Sequence, residues 1–206
     1  MHMPANNAVD FTPPPAGTFL AVSYRLIDLG TQPVVWEGKT KYQRKVMFSW
    51  ELPEEKMDDG QPFSIHQRYT FSSSDKSRLR HDLESWRGVP FKDSDFGPNG
   101  FDIKNTLGKG CMLGIVHNVK GDRTYANITA VMKMPKGMAA PAPVNPIVYL
   151  SLERDRFNRE VFDALSDGLR AVIAKSPEYM ELTTGRHSGD AVPPPSDDDM
   201  NDSIPF

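Results

Sequence analysis

The stretch Gly38-Lys39-Thr40-Lys41-Tyr42-Gln43-Arg44-Lys45-Val46-Met47-Phe48-Ser49-Trp50-Glu51-Leu52 decides how this chain is read. In an extended strand, side chains alternate between two faces. Lys39, Lys41, Gln43 and Lys45 then share one face, and Tyr42, Arg44, Val46, Phe48 and Trp50 share the other. Val46, Phe48 and Trp50 are expected in a core. Trp36, just upstream, Tyr42 and the cations Lys39, Lys41, Arg44 and Lys45 are expected at a surface that meets a ligand.

Working outward, more period-two runs appear on both sides. Residues 17–29 alternate Leu20, Val22, Tyr24 and Leu26 with smaller or polar residues, which is the strand signature. Gly30 and Pro33 punctuate the chain, and a second strand region spans 34–52 with a turn at Glu37-Gly38. Asp59-Gly60 signals another turn. A third strand follows over 63–72, with Phe63, Ile65 and Phe71 expected in the core, Arg68 a candidate ligand contact and His66 on the surface. Ser73-Ser74-Asp75 opens a helix to about Trp86, striped by Leu79, Leu83 and Trp86. A Gly- and Pro-rich loop, whose Phe91, Phe96 and Phe101 either anchor it or line a groove, leads to a short helical turn at 102–107. Strands at 111–119 and 123–134 flank the turn Lys120-Gly121-Asp122. Lys109, His117, Lys120, Arg123, Tyr125 and Lys133 lie on or beside this hairpin and are candidates to clamp a ligand.

The order β-β-β-α-β-β is that of the OB-fold, a five-stranded Greek-key barrel. The expected class is therefore mainly β with helices: a five-stranded OB-fold barrel, a C-terminal helix and a disordered acidic tail. The Pro clusters at 13–15, 141–146 and 193–195 divide the chain. Residues 1–16 form a flexible arm, 17–135 the barrel, 136–180 a linker and C-terminal helix, and 181–206 the tail. That helix is expected over 155–175, with a stripe of Phe157, Val161, Leu165, Leu169 and Val172 covering the barrel and Pro177 stopping it.

Charge is segregated. The net charge is −3, yet residues 187–206 hold five Asp and no Lys or Arg, so residues 1–186 are at +2. The single cysteine, Cys111, has no partner for an internal disulfide and is expected as a core thiol. The five histidines are scattered, so no metal site is expected. The carboxylates Glu54-Glu55, Asp58-Asp59 and Asp197–Asp199 fall in turns or the tail, without acid/base spacing. Gly108-Lys109-Gly110 lacks the spacing of a phosphate-cradling loop. No catalytic residue, cofactor or enzymatic activity is expected. The absence of a long apolar run or a leader-like N-terminus points to a cytoplasmic protein with no membrane contact.

The last residues are Ser196-Asp197-Asp198-Asp199-Met200-Asn201-Asp202-Ser203-Ile204-Pro205-Phe206. An acidic run ending on an apolar tip suits capture by a partner: Phe206 enters a pocket, its carboxylate meets a cation, and the aspartates meet a basic rim. Asp197, Asp198, Asp199, Asp202, Ile204, Pro205 and Phe206 are the expected partner-binding residues.

This ending resembles the acidic tip of bacterial single-stranded DNA-binding proteins, although Met-Asn-Asp-Ser here separates the aspartates from Ile204. The body is similar to phage-encoded OB-fold single-stranded DNA-binding proteins over most of residues 17–180. The likeness is carried by Gly38 to Lys45 leading to Ser49-Trp50-Glu51-Leu52-Pro53, and by Leu107-Gly108-Lys109-Gly110-Cys111 with Tyr125-Ala126-Asn127-Ile128. The resemblance implies a protein that coats single-stranded DNA in phage replication or recombination, with a tip that docks partner enzymes; host cytoplasm is then the compartment. It leaves homo-oligomerisation open. The alternative is an accessory interaction or annealing protein whose body binds little DNA.

Overall fold

The computed structural model describes residues 12–97 and 100–184. The tail residues Asp197, Asp198, Asp199, Asp202, Ile204, Pro205 and Phe206 lie outside the described residues, as does most of the N-terminal arm. The chain is mainly β. Strands β1 (Gly17–Trp36), β2 (Lys39–Lys56), β3 (Pro62–Thr70), β4 (Gly110–Lys120), β5 (Arg123–Met132) and β6 (Val148–Leu150) make one six-stranded sheet. The pairing order is β3-β2-β1-β4-β5, all antiparallel, and β6 adds to β1 in parallel.

A five-stranded closed barrel is thus not what the pairing gives. The sheet has six strands and its hydrogen-bonded path is open, ending at β3 and β5. Helix α1 (Arg78–Arg87) packs against both path ends. Tyr69 Oη at the end of β3 donates to Asp82 of α1 at 2.7 Å, and Arg78 of α1 donates to the Ile128 carbonyl of β5 at 2.6 Å. The helix begins at Arg78 rather than at Ser73-Ser74-Asp75, and Gly88 closes it in the left-handed conformation.

Two cores lie on opposite faces of the long β1–β2 hairpin. The inner core gathers Leu26, Val46, Phe48, Trp50, Tyr69, Leu79, Leu83, Trp86, Cys111 and Ile128. Val46, Phe48 and Trp50 sit where period two puts them, and Cys111 is buried. Phe71 departs from expectation. It lies one residue past the end of β3, where the strand's alternation no longer governs its direction, and it is 42 % exposed. The outer core packs Ile27, Leu29 and Met47 of the sheet against Leu150, Leu152, Phe162, Leu165 and Ile173.

That outer core corrects the expectation of one long C-terminal helix. Residues 155–175 hold two short helices, α3 (Arg159–Asp163) and α4 (Asp167–Ile173); a third, α5, spans Pro177–Thr184. The smallest helix, α2 (Asp93–Phe96), belongs to the loop after α1. Asn158 caps α3 by accepting from the Glu160 and Val161 amides, and Ser166 leaves the helical region at ψ 151 before α4 starts. Pro177 opens α5 instead of stopping a helix, because a first-turn residue needs no N–H. Phe157, Val161, Leu165 and Leu169 of the expected stripe still pack into the outer core, while Ile173 rather than Val172 is the residue that α4 buries there. β6 was not legible: three residues just past the Pro-rich run that ends at Pro146 are too few to carry a periodicity of their own.

Candidate nucleic-acid interface

The β1–β2 hairpin runs beyond the body of the sheet to a turn at Glu37-Gly38. Trp36 pairs with Lys39 and Val34 with Lys41. Residues directly opposite on antiparallel strands point to one face, so Trp36, Lys39 and Lys41 share a face and Tyr42 and Arg44 take the other. Trp36 is 53 % exposed and Tyr42 50 % exposed. About half of each ring is thus open among the described residues.

Arg44 and Lys45 are anchored in the fold. Arg44 forms a 2.6 Å ion pair with Asp28 and lies 5.7 Å from the Phe71 ring centroid. Burial works against its charge, but the Asp28 carboxylate prevails and raises its pKa. Lys45 Nζ donates to Thr70 Oγ1 at 2.7 Å.

The second arm is the β4–β5 hairpin. Lys120 pairs with Arg123 and Asn118 with Tyr125, so Lys120, Arg123 and Tyr125 share one face. Tyr125 is 47 % exposed. His117 turns to the opposite face, and its Nε2 sits 2.7 Å from the Pro14 carbonyl. Lys109 and Lys133 are not on this arm. They line a separate pocket of ≈ 460 Å³ at the foot of β4, together with Arg87, Lys136, Trp86 and Met138. Arg68 lies on the outer face of β3, opposite Met47. The candidates thus fall in four places: two arms, a pocket and the outer face of the sheet.

The sequence left open whether Phe91, Phe96 and Phe101 anchor their loop or line a groove, and all three line one. Two adjoining hollows of ≈ 610 and ≈ 510 Å³ share Phe71, Gly100, Phe101 and Ile103. The first contains Asp28, Asp102 and Glu153 against Arg44 and Arg156, so its charges are matched internally. A signal for it existed in the spacing of Phe91, Phe96 and Phe101, which cluster with centroids 5.0 and 4.9 Å apart.

Among the described residues no group of acidic, His or Cys side chains is placed to hold a metal ion, and no helix is long and apolar enough to cross a membrane. The chain matches no family model and no curated protein.

Proposed function

We propose that this chain is a non-enzymatic single-stranded DNA-binding protein with a partly open OB-type barrel. In this reading it coats and protects strands during replication or recombination, in the cytoplasm of a phage-infected host. The observation that carries the reading is the occurrence of half-exposed rings with cations on two projecting hairpins: Trp36 on the face of Lys39 and Lys41, Tyr42 on the other face of the same hairpin, and Tyr125 on the face of Lys120 and Arg123. Rings stack on bases of any identity, and cations follow the phosphates, so the combination suits sequence-tolerant binding of an unpaired strand. The strand order β3-β2-β1-β4-β5, with a helix across the open seam, supports the OB-type assignment. In the same reading, residues 197–206 recruit partner enzymes through acidic and apolar contacts.

The test is titration of labelled oligo-dT and matched duplex with the full chain and with a chain ending at Ser196. Tight, salt-sensitive binding selective for the single strand, kept or strengthened on truncation, is the expected result. Absence of binding by both chains overturns the reading and leaves an accessory interaction protein.

A further inference from the structure

The pocket at the foot of β4 is set apart by its charge. Its ≈ 460 Å³ falls within the range of about 300–1,000 Å³ usual for ligand pockets. Arg87, Lys109, Lys133 and Lys136 line it, and among the described residues no carboxylate does. The hollow beside Phe71 has no such imbalance, since Asp28, Asp102 and Glu153 there face Arg44 and Arg156. On a chain whose net charge is −3, cations gathered around one hollow without an acid make a local field that draws an anion.

One of these cations is already neutralised within the fold. Arg87 lies 3.4 Å from Asp95 and 4.2 Å from the Phe91 ring centroid. The others are not. Lys109, Lys133 and Lys136 are exposed and form no ion pair among the described residues. Like charges around one hollow disfavour each other until an anion sits among them.

The fold fixes where these lysines start. The Ser23 amide of β1 donates to the Lys109 carbonyl at 3.1 Å, and the Lys133 amide donates to the Ser85 carbonyl of α1 at 3.1 Å. The stem of Lys133 passes over Gly88, where a Cβ would lie 2.4 Å from Lys133 Cδ. The floor between the lysines is apolar: Leu83 and Trp86 of α1 meet Phe101, Met134 and Met138. Trp86 is anchored there, its Nε1 donating to the Gly110 carbonyl at 2.8 Å. Met138 is 49 % exposed, so the floor is open at that side.

We infer that this pocket holds one nucleotide of a single strand, with the phosphate among Lys109, Lys133 and Lys136 and the sugar and base on the apolar floor. The inference rests on the strand-binding reading and adds a site away from the tips of both arms. A small anion leaves the floor wet, whereas a nucleotide covers both the charged and the apolar lining. Residues 197–206 carry acidic and apolar groups too, but the strand is favoured because the pocket lies in line with an arm. Lys109 directly precedes β4 and Lys133 directly follows β5, while Arg123 and Tyr125 stand at the other end of β5. The 10 residues of β5 span roughly 33 Å, so a strand laid along the hairpin runs from arm to pocket.

The test titrates oligo-dT into the full chain, the pocket variant K109Q/K133Q/K136Q and the arm variant K39Q/K41Q. A control, K56Q/K76Q/K175Q, removes equal charge at exposed positions outside the pocket. Each variant is checked for an unchanged thermal melt. The pocket variant is expected to weaken binding about tenfold or more, as for the loss of bonds to a charged group. It is also expected to flatten the log–log salt slope by about 0.7 for each phosphate no longer neutralised. The control is expected to bind nearly as the parent does; equal losses in the two triple variants overturn the site, because net charge then explains both. If K39Q/K41Q weakens binding while the pocket variant matches the parent in affinity and salt slope, the site is overturned and the strand-binding reading stands. In a chain ending at Ser196 the loss from the pocket substitutions is expected to persist. A loss that vanishes there overturns the strand as occupant in favour of the acidic residues. The Met138 methyl resonance of the parent, which needs no variant, is expected to move with oligo-dT and not with inorganic phosphate at equal phosphate concentration. Movement with both alike overturns the strand in favour of a small-anion site. No binding of oligo-dT by the parent overturns both the site and the strand-binding reading.

Discussion

Trp36 shows what a residue's position in a pairing register does to its meaning. It sits beside a turn on a projecting hairpin, opposite Lys39, with half its surface in solvent. Trp50, on the same hairpin but within the body, is buried against Phe48 and Trp86. The two tryptophans therefore predict opposite mutational signatures. Trp36→Ala is expected to reduce affinity for oligo-dT by about 1–3 kcal/mol, the worth of one base stack, with an unchanged melt. Tyr125→Ala should act in the same way on the other arm. Trp50→Ala is expected to cost about 3–5 kcal/mol of stability, as for a large core truncation, read by denaturant unfolding. A melt lowered as much by Trp36→Ala as by Trp50→Ala would place Trp36 in the fold rather than at the interface. The sequence assigned Trp50 to the core by its alternation with Val46 and Phe48, and set Trp36 apart by its basic neighbours; the burial of the two rings differs accordingly. Periodicity misread Phe71, because alternation stops informing once the strand has ended.

At the scale of elements, the C-terminal helices are held to the sheet at one close approach. Gly30 of β1 has φ 69°, and a Cβ there would lie 2.4 Å from the Ser176 Cβ and Oγ. Gly30→Ala combines left-handed strain with a clash and is expected to cost about 2–4 kcal/mol, measured by chemical denaturation. Beside it, Glu178 of α5 accepts from the Thr31 amide at 2.8 Å and from the Thr31 hydroxyl at 2.6 Å. Burial raises the Glu178 pKa, but the Thr31 bonds together outweigh it and the net direction is down. A carboxylate with a depressed folded pKa stabilises the fold above its unfolded pKa. That contribution is lost as pH falls through the carboxylate range. Glu178→Gln is accordingly expected to lower stability by about 1–2 kcal/mol at neutral pH, solvent screening included, and to shrink the acid-induced loss. An unchanged acid limb in a pH series of melts would show that the pair contributes nothing to docking. Thr31 and Glu178 are 147 residues apart, so no reading of the chain could have paired them.

At the scale of the whole molecule, charge is unevenly spent. The helices and the groove pair most of their arginines, while the β4–β5 arm exposes Lys120 and Arg123 and β3 exposes Arg68. If the arms neutralise phosphates, affinity should fall with salt at a log–log slope near −0.7 per phosphate on a single strand. A chain ending at Ser196 loses four aspartates, and is expected to bind oligo-dT as tightly as the full chain or more tightly, with an equal or steeper salt slope. Weaker binding on truncation would show instead that the acidic segment supports the DNA contact.

Period-two patterning by itself marked the strand regions of β1 to β5, because a half-buried strand must alternate apolar and polar residues whatever it pairs with; it broke β1 at Gly30 and Pro33, where the strand in fact runs on to Trp36. Val46, Phe48 and Trp50 were assigned to the core on that ground, whereas Trp36 and Tyr42 were set apart by the cations interleaved with them, since alternation alone puts Tyr42 on the face of Trp50. The open seam between β3 and β5, the sixth strand, the groove at Phe71 and the row of Arg25, Ser49 and His66 were decided only by tertiary structure. Each depends on which distant segments meet: α1 reaching Tyr69 and Ile128, β6 reaching Arg25, and three strands setting Arg25 beside Ser49 and His66. Local sequence fixes the direction of a side chain along its own strand, whereas its neighbours across the sheet follow from register, which only the packed chain supplies.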